Sequence, residues 1–284
     1  MPNPLKKFFK KLSGSSSKPA SAQDSSAKAP AAAANNSASS STQKPQQQQQ
    51  APAAGQAAES KQTETSDKTQ AQKSTAVASS GSKKGPKIAI IYYSMYGHIR
   101  TLALDIKKGI EGAGGQVDLY QVDETLGDDV LEKMHAGPKS DDPIVTPDDL
   151  AKYDAFLFGI PTRFGNFPTQ WKAFWDQTGA LWASGALYGK YVSVFVSTGT
   201  GGGRESTVMD ALSTFVHHGM IFIPLPYAVA FNQLSNVTEV HGASPWGAGT
   251  IAGADGSRQP SDMEHEIAEI QGKHFYTMVN RVQS

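Results

Sequence analysis

Residues 87–94, Lys-Ile-Ala-Ile-Ile-Tyr-Tyr-Ser, narrow the possible folds of this chain more than any other stretch. An unbroken apolar run rich in branched and aromatic side chains reads as a strand buried on both faces, and such strands belong to parallel sheets covered by helices on each side. The following residues agree with that reading. Ile99, Leu102, Ala103, Ile106 and Ile110 recur at helical spacing, and Gly112, Gly114 and Gly115 stop the helix. Strands are predicted over 117–122, 154–161 and 191–197 and in the apolar run 220–224, with helices over 169–178, 205–218 and 262–282. This alternation predicts an α/β fold, a doubly wound five-stranded parallel sheet, occupying residues 87–284. Residues 226–260, rich in Gly, Ser, Asn and Pro, fit no element and are expected to form a functional or interface loop.

Nothing comparable precedes residue 87. Residues 1–86 hold 12 lysines against 4 acidic residues, a net charge of +8, which leaves the remainder at −8 in a chain that is neutral overall. From residue 13 to 84 the composition is Ser, Ala, Gln, Lys, Thr and Pro, too poor in apolar groups to offset the entropy of ordering, so a disordered N-terminal tail is expected. Residues 3–13 differ, because Leu5, Phe8, Phe9 and Leu12 share one helical face and Lys6, Lys7, Lys10 and Lys11 the other. Two readings stay open for them: peripheral contact with an anionic membrane or a partner groove, or the solvated basic end of the tail. No apolar run approaches the roughly 18 residues of a membrane span, the start lacks a secretory signal, and the first arginine is Arg100, unlike a mitochondrial presequence. The expected location is cytoplasmic, with the plasma membrane as the surface residues 3–13 would touch. Nucleic acid is not an expected partner. The chain has no cysteine, which excludes disulfides, thiolate metal sites and cysteine nucleophiles, so redox chemistry would need a borrowed cofactor.

In open parallel sheets ligands bind beyond the carboxyl ends of the strands. The loop after the first strand, Ser94-Met95-Tyr96-Gly97-His98-Ile99, passes directly into a helix, and free amides there with a serine hydroxyl suit a phosphate monoester. Neither a phosphate-binding loop ending in Gly-Lys-Ser/Thr nor Gly-x-Gly-x-x-Gly follows the first strand, which points to a mononucleotide rather than a tightly held dinucleotide. Two further strand ends, Pro161-Thr162-Arg163-Phe164-Gly165-Asn166 and Ser197-Thr198-Gly199-Thr200-Gly201-Gly202-Gly203, offer glycines for close backbone approach beside hydroxyl and amide groups. Taken singly, each loop could be only a turn.

With these loops, Asp176-Gln177-Thr178-Gly179, Leu181-Trp182-Ala183-Ser184-Gly185-Ala186-Leu187, His217-His218-Gly219-Met220 and residues 252–260, the chain from about Lys87 onward resembles the flavodoxin-like NAD(P)H:quinone oxidoreductases of the WrbA type. The resemblance implies a flavodoxin-like fold, tightly held FMN, NADH or NADPH as co-substrate and a quinone as acceptor, in a role against quinone and oxidative stress. It places the FMN phosphate on Ser94, Met95, Tyr96, Gly97, His98 and Ile99, the ring edge on Thr162, Arg163 and Phe164, and the pyrimidine side on Ser197, Thr198, Gly199, Thr200, Gly201, Gly202 and His217. It also gives Tyr96 to the nicotinamide, Trp182 to the quinone, a catalytic role to His217, and a homotetramer (a dimer being the other possibility) whose neighbouring subunits complete each site. The N-terminal extension departs from the short bacterial members.

Blander readings compete with several of these. His217 and Trp182 would equally serve as packed core side chains. His217 and His218 lie on different helix faces and make no metal pair, and no metal site is expected. Asp141, Asp142, Asp148 and Asp149 read as a solvated loop. Two other functional classes share the fold: a flavodoxin-type electron carrier, and a non-catalytic interaction protein at a membrane.

Overall fold

The computed structural model describes residues 85–283; the amphipathic segment 3–13 and the tail read above lie outside the described residues. In chain order the elements are β1 (Ile88–Tyr92), α1 (His98–Gly112), β2 (Val117–Gln121), α2 (Asp128–Lys133), α3 (Pro147–Leu150), β3 (Ala155–Pro161), α4 (Thr169–Asp176), α5 (Gly179–Ser184), β4 (Tyr191–Thr198), α6 (Ser206–His217), β5 (Ile221–Phe222), α7 (Tyr227–Leu234), β6 (Gly249–Ile251) and α8 (Asp262–Gln283).

Every residue of β1 is buried, as its unbroken apolar run requires. Because side chains alternate across a strand, the run divides by parity. Ile88, Ile90 and Tyr92 pack with α1 and α8, whereas Ala89 and Ile91 join the aromatic layer of Phe156, Phe158, Trp171, Trp175 and Phe215 beneath α4 and α6. All pairings are parallel, in the order β2-β1-β3-β4-β5. That is the flavodoxin-like doubly wound order, whose switch point between β1 and β3 opens the ligand crevice.

Helices α1 and α8 cover one face at unusually close approach. A Cβ built on Gly109 would lie 2.1 Å from the carbonyl oxygen of Glu269, and one on Gly272 would lie 2.1 Å from that of Ile106. Each glycine therefore seats the other helix's backbone.

The expected loop 226–260 is corrected here, because it contains α7 and a sixth strand. Ile221 and Phe222 pair with Tyr191 and Val192, and Gly249, Thr250 and Ile251 pair with Val196, Ser197 and Thr198. Both use the edge of β4 that faces away from β3, so one edge position is shared by two short strands. The fifth strand is thus split, and residues 223–248 leave the sheet and return. Gln271 of α8 closes the break: its amide nitrogen donates to the carbonyl of Val194 (2.9 Å) and the hydroxyl of Ser193 (2.8 Å), and its oxygen accepts from Ala248 N (2.8 Å). Without it, buried backbone groups would stay unpaired, each costing about 1–3 kcal/mol.

Candidate functional site

At the carboxyl end of β1 the backbone turns through Gly97, whose φ of 88° favours glycine, and enters α1. Thr101 N–H is the first to find a backbone acceptor, Gly97 O, at 2.9 Å. Arg100 N–H reaches Ser94 Oγ at 3.3 Å. The amides of Gly97, His98 and Ile99 are left with no acceptor among the described residues. Since the Ser94 oxygen accepts from Arg100, its hydroxyl hydrogen remains available. A Cβ on Gly97 would meet nothing within 4 Å, so open space lies against this backbone. Converging amides, a hydroxyl and the positive end of a helix form a seat for an anion. Arg100 is not part of it, because its guanidinium is held by Asp142 (2.8 Å) and Ser140 (3.0 Å).

The second loop is a tight turn closed by reciprocal bonds between Arg163 and Asn166. Phe164 (φ 54°) and Gly165 (φ 79°) both adopt left-handed backbone. A phenylalanine there is a strained exception, and its ring is 93% exposed beneath the Arg163 guanidinium, 4.7 Å from the ring centre. The third loop packs on the second through Gly203: a Cβ there would fall 2.7 Å from Thr162 Oγ1. Thr198 Oγ1 fixes the loop by accepting from Gly201 N at 3.0 Å.

These loops meet in a cavity of about 320 Å³ that brings together Ser94, Met95, Tyr96, His98, Ile99, Thr162, Arg163 and Ser197. Gly97 caps the helix beside it and Thr198 is buried in β4. Phe164 and residues 199–202 are not among the lining residues. Tyr96 is half exposed and donates its hydroxyl to Met134 O (3.1 Å).

Trp182 and His217 are not brought to this cavity by a single chain. Helix α6 runs from the end of β4 to the start of β5, so His217, its last residue, stands at the amino end of the sheet. Thr178, at the start of α5, bonds His218 (3.0 Å), which places α5 at the same end. Both residues are exposed, Trp182 to 60%, which overturns the reading of either as a core side chain.

The sequence reading missed the wall formed by Tyr93, Leu126, Met134, Thr169 and Gln170. Its hub is Glu124, which follows β2 and so lay at a strand end like the loops that were singled out. Its carboxylate accepts from Tyr93 Oη (2.8 Å), Gln170 Nε2 (2.6 Å), Thr125 N (2.8 Å) and Leu126 N (3.1 Å). The acidic loop is also corrected. Asp142 binds Arg100, Ser140 and Tyr92, and Asp149 binds Thr146 and Lys152; Asp141 and Asp148 alone are plainly solvated.

Burial works to raise the Glu124 carboxyl, but the bonds from Gln170, Tyr93, Leu126 and Thr125 outweigh it and hold the group below the usual range. Asp142 is lowered likewise, burial being opposed by Arg100, Ser140 and Tyr92. Burial, then the neighbouring His217, also lowers His218. A pKa depressed in the folded state contributes stability that is complete above the unfolded value and is lost as pH falls through the folded value. Melting temperature should therefore fall on acidification, beginning below about pH 6.5 through His218 and steepening below about pH 4 through the carboxylates. Glu124→Gln should flatten the second stage; a profile parallel to that of the parent chain would contradict this assignment.

Arg258 and Glu264 support the site from beneath. Arg258 Nη1 bonds Glu264 Oε2 (2.8 Å) and Ile251 O (2.7 Å), and Nη2 bonds Val240 O (3.0 Å). The carbonyl of Arg258 receives His98 Nε2 at 2.9 Å. Just after β6, Ala252 N donates to Thr198 O (2.8 Å).

Known proteins resemble this chain in sequence. A family model described as NADPH-dependent FMN reductase matches residues 86–233. The chain is 62% identical over 194 residues to "Protoplast secreted protein 2" of Saccharomyces cerevisiae, covering 68% of this chain and 98% of that one. It is also 62% identical over 197 residues to "NAD(P)H quinone oxidoreductase PST3" of Candida albicans, covering 69% and 99%. With "NAD(P)H quinone oxidoreductase YCP4" of the same organism the identity is 58% over 191 residues, 66% of each chain. The chain belongs to the NADPH-dependent FMN reductase family.

Proposed function

We propose that residues 87–284 bind FMN and use NADH or NADPH to reduce quinones to hydroquinones. The observation that carries this reading is the anion seat of three amides unpaired among the described residues and the Ser94 hydroxyl, set at the switch point of the sheet and opening into the cavity. The donor set fits a phosphate monoester, and the names of the Candida albicans relatives supply the reaction. FMN, when bound, supplies two-electron chemistry between a hydride donor and a quinone.

The chain's own residues do the rest. Gly97, His98 and Ile99 hold the phosphate by their amides, with Ser94 donating its hydroxyl. Thr162, Arg163 and Phe164 border the ring, and residues 197–202 present amides and hydroxyls to its polar edge, where preorganised donors stabilise negative charge. Tyr96, at the open side, faces the nicotinamide. In the assembly we propose, a homotetramer, Trp182 and His217 of one copy serve the cavity of another; their exposure on one chain, beside Tyr188 (81%) and Val216 (68%), supports this arrangement. The workplace proposed is the cytoplasm, and no helix among the described residues is long and apolar enough to cross a membrane.

The test is an absorption spectrum of the purified full chain, followed by initial rates with NADH or NADPH and benzoquinone. Bound flavin, quinone-dependent oxidation of the nicotinamide and parallel double-reciprocal lines are expected. Bound flavin without turnover would assign the carrier role instead, and no flavin binding would remove both readings.

A further inference from the structure

We propose that His98 is a positioning residue that fixes the span between the phosphate seat and the third loop, rather than a side-chain ligand of the phosphate. This rests on the FMN reading given above.

His98 is the first residue of α1 and is buried, 5% exposed as a whole residue. A backbone carbonyl can only accept, so the contact with Arg258 O requires the hydrogen on Nε2. In the neutral ring that tautomer leaves a lone pair on Nδ1, and a lone pair repels an anion. The imidazole is therefore suited to hold a carbonyl. The backbone amide of the same residue, unpaired among the described residues, is what faces the phosphate.

The carbonyl it grips belongs to a rigid platform. Arg258 is held at both ends: its amide donates to Ala252 O (2.8 Å), and its guanidinium binds Ile251 O, Val240 O and the buried carboxylate of Glu264. Glu264 also accepts from Thr250 and Ile251 of β6, and Ala252 N binds Thr198 O at the base of the third loop. An unbroken set of hydrogen bonds thus runs from the phosphate loop through His98, Arg258 and β6 to Thr198. A ligand that touches both loops gains affinity when the distance between them is preset, because the ordering cost has been met before binding. A flavin without a phosphate touches only one end and gains nothing from it.

The discriminating measurement is the affinity of the full chain, freed of flavin, for FMN and for riboflavin, followed by quenching of flavin fluorescence. His98→Leu keeps the bulk and removes the donor; it should weaken FMN about tenfold, the loss of roughly one hydrogen bond's worth, and leave riboflavin unchanged. His98→Gln carries an amide donor and should restore FMN affinity to near the parent value. His98→Asn, too short to reach, should behave like leucine. If leucine does not fold, the Gln and Asn pair alone decides the matter. Equal losses for both flavins would show a general packing role, and a glutamine variant as weak as leucine or asparagine would show that the ring contacts the phosphate itself; either overturns the proposal. If the parent chain binds neither flavin, the FMN reading has failed instead, and the two failures are distinct.

Discussion

Glu264→Ala is expected to destabilise the domain by about 3–5 kcal/mol, the usual cost of removing one member of a buried ion pair. The carboxylate is fully buried and accepts from Gly242 N (3.0 Å), Ile251 N (3.2 Å), Thr250 Oγ1 (2.8 Å), Arg258 Nη1 (2.8 Å) and Ser261 N (2.9 Å). Alanine would leave a guanidinium without its counter-ion and several amides unpaired where water has little access. In a domain of this size the loss corresponds to roughly 6–20 °C in melting temperature. Glu269, one turn and a half further along α8, provides the contrast. Its partner Lys108 is 71% exposed, and solvent screens a surface pair of that kind, so Glu269→Ala should barely move the transition. Thermal melts of the two variants side by side decide the matter. A Glu264→Ala chain melting within about 2 °C of the parent would refute the account.

Ser94→Asp should weaken FMN about 100-fold while leaving the fold at least as stable. The serine oxygen already accepts from Arg100 N at the start of α1. Aspartate is at least as good an acceptor there, and a negative charge beside the amino end of a helix is favourable. The same charge stands beside the proposed phosphate. At about 4–5 Å and an effective dielectric near 20, two like unit charges repel by roughly 3–4 kcal/mol. Solvent at the open cavity reduces this to about 2.7 kcal/mol, which is the 100-fold change. Stability and affinity are thus expected to move in opposite directions, a combination that general damage to the protein cannot produce. Flavin titration together with a melting curve measures both, and unchanged FMN affinity would remove the phosphate from this loop.

Much of the site was legible along the chain because its signals are local. The apolar run at residues 88–92 demands burial on both faces, helical spacing in residues 99–110 demands a helix behind it, and the turn between them exposes amides whatever the rest of the chain does. The same logic located the second and third loops. It passed over Glu124, whose importance arises from Tyr93 and Gln170, neighbours 31 and 46 residues away. It also left open whether Trp182 and His217 were core or site, because neither spacing nor residue type says which end of a sheet a helix terminus will reach.

The sequence by itself determined the succession of the main strands and helices and the turn after β1 that leaves amides free at the start of α1. Only the tertiary structure decided that the fifth strand is split, that Gln271 seals the gap, that Glu264 is buried beneath the third loop, and that His98 grips a carbonyl 160 residues away. Periodicity and turn chemistry act between residues a few positions apart and are written in every short window. The partner of a buried polar side chain is whichever backbone group the packed layers leave unpaired, and that group exists only once the layers have formed.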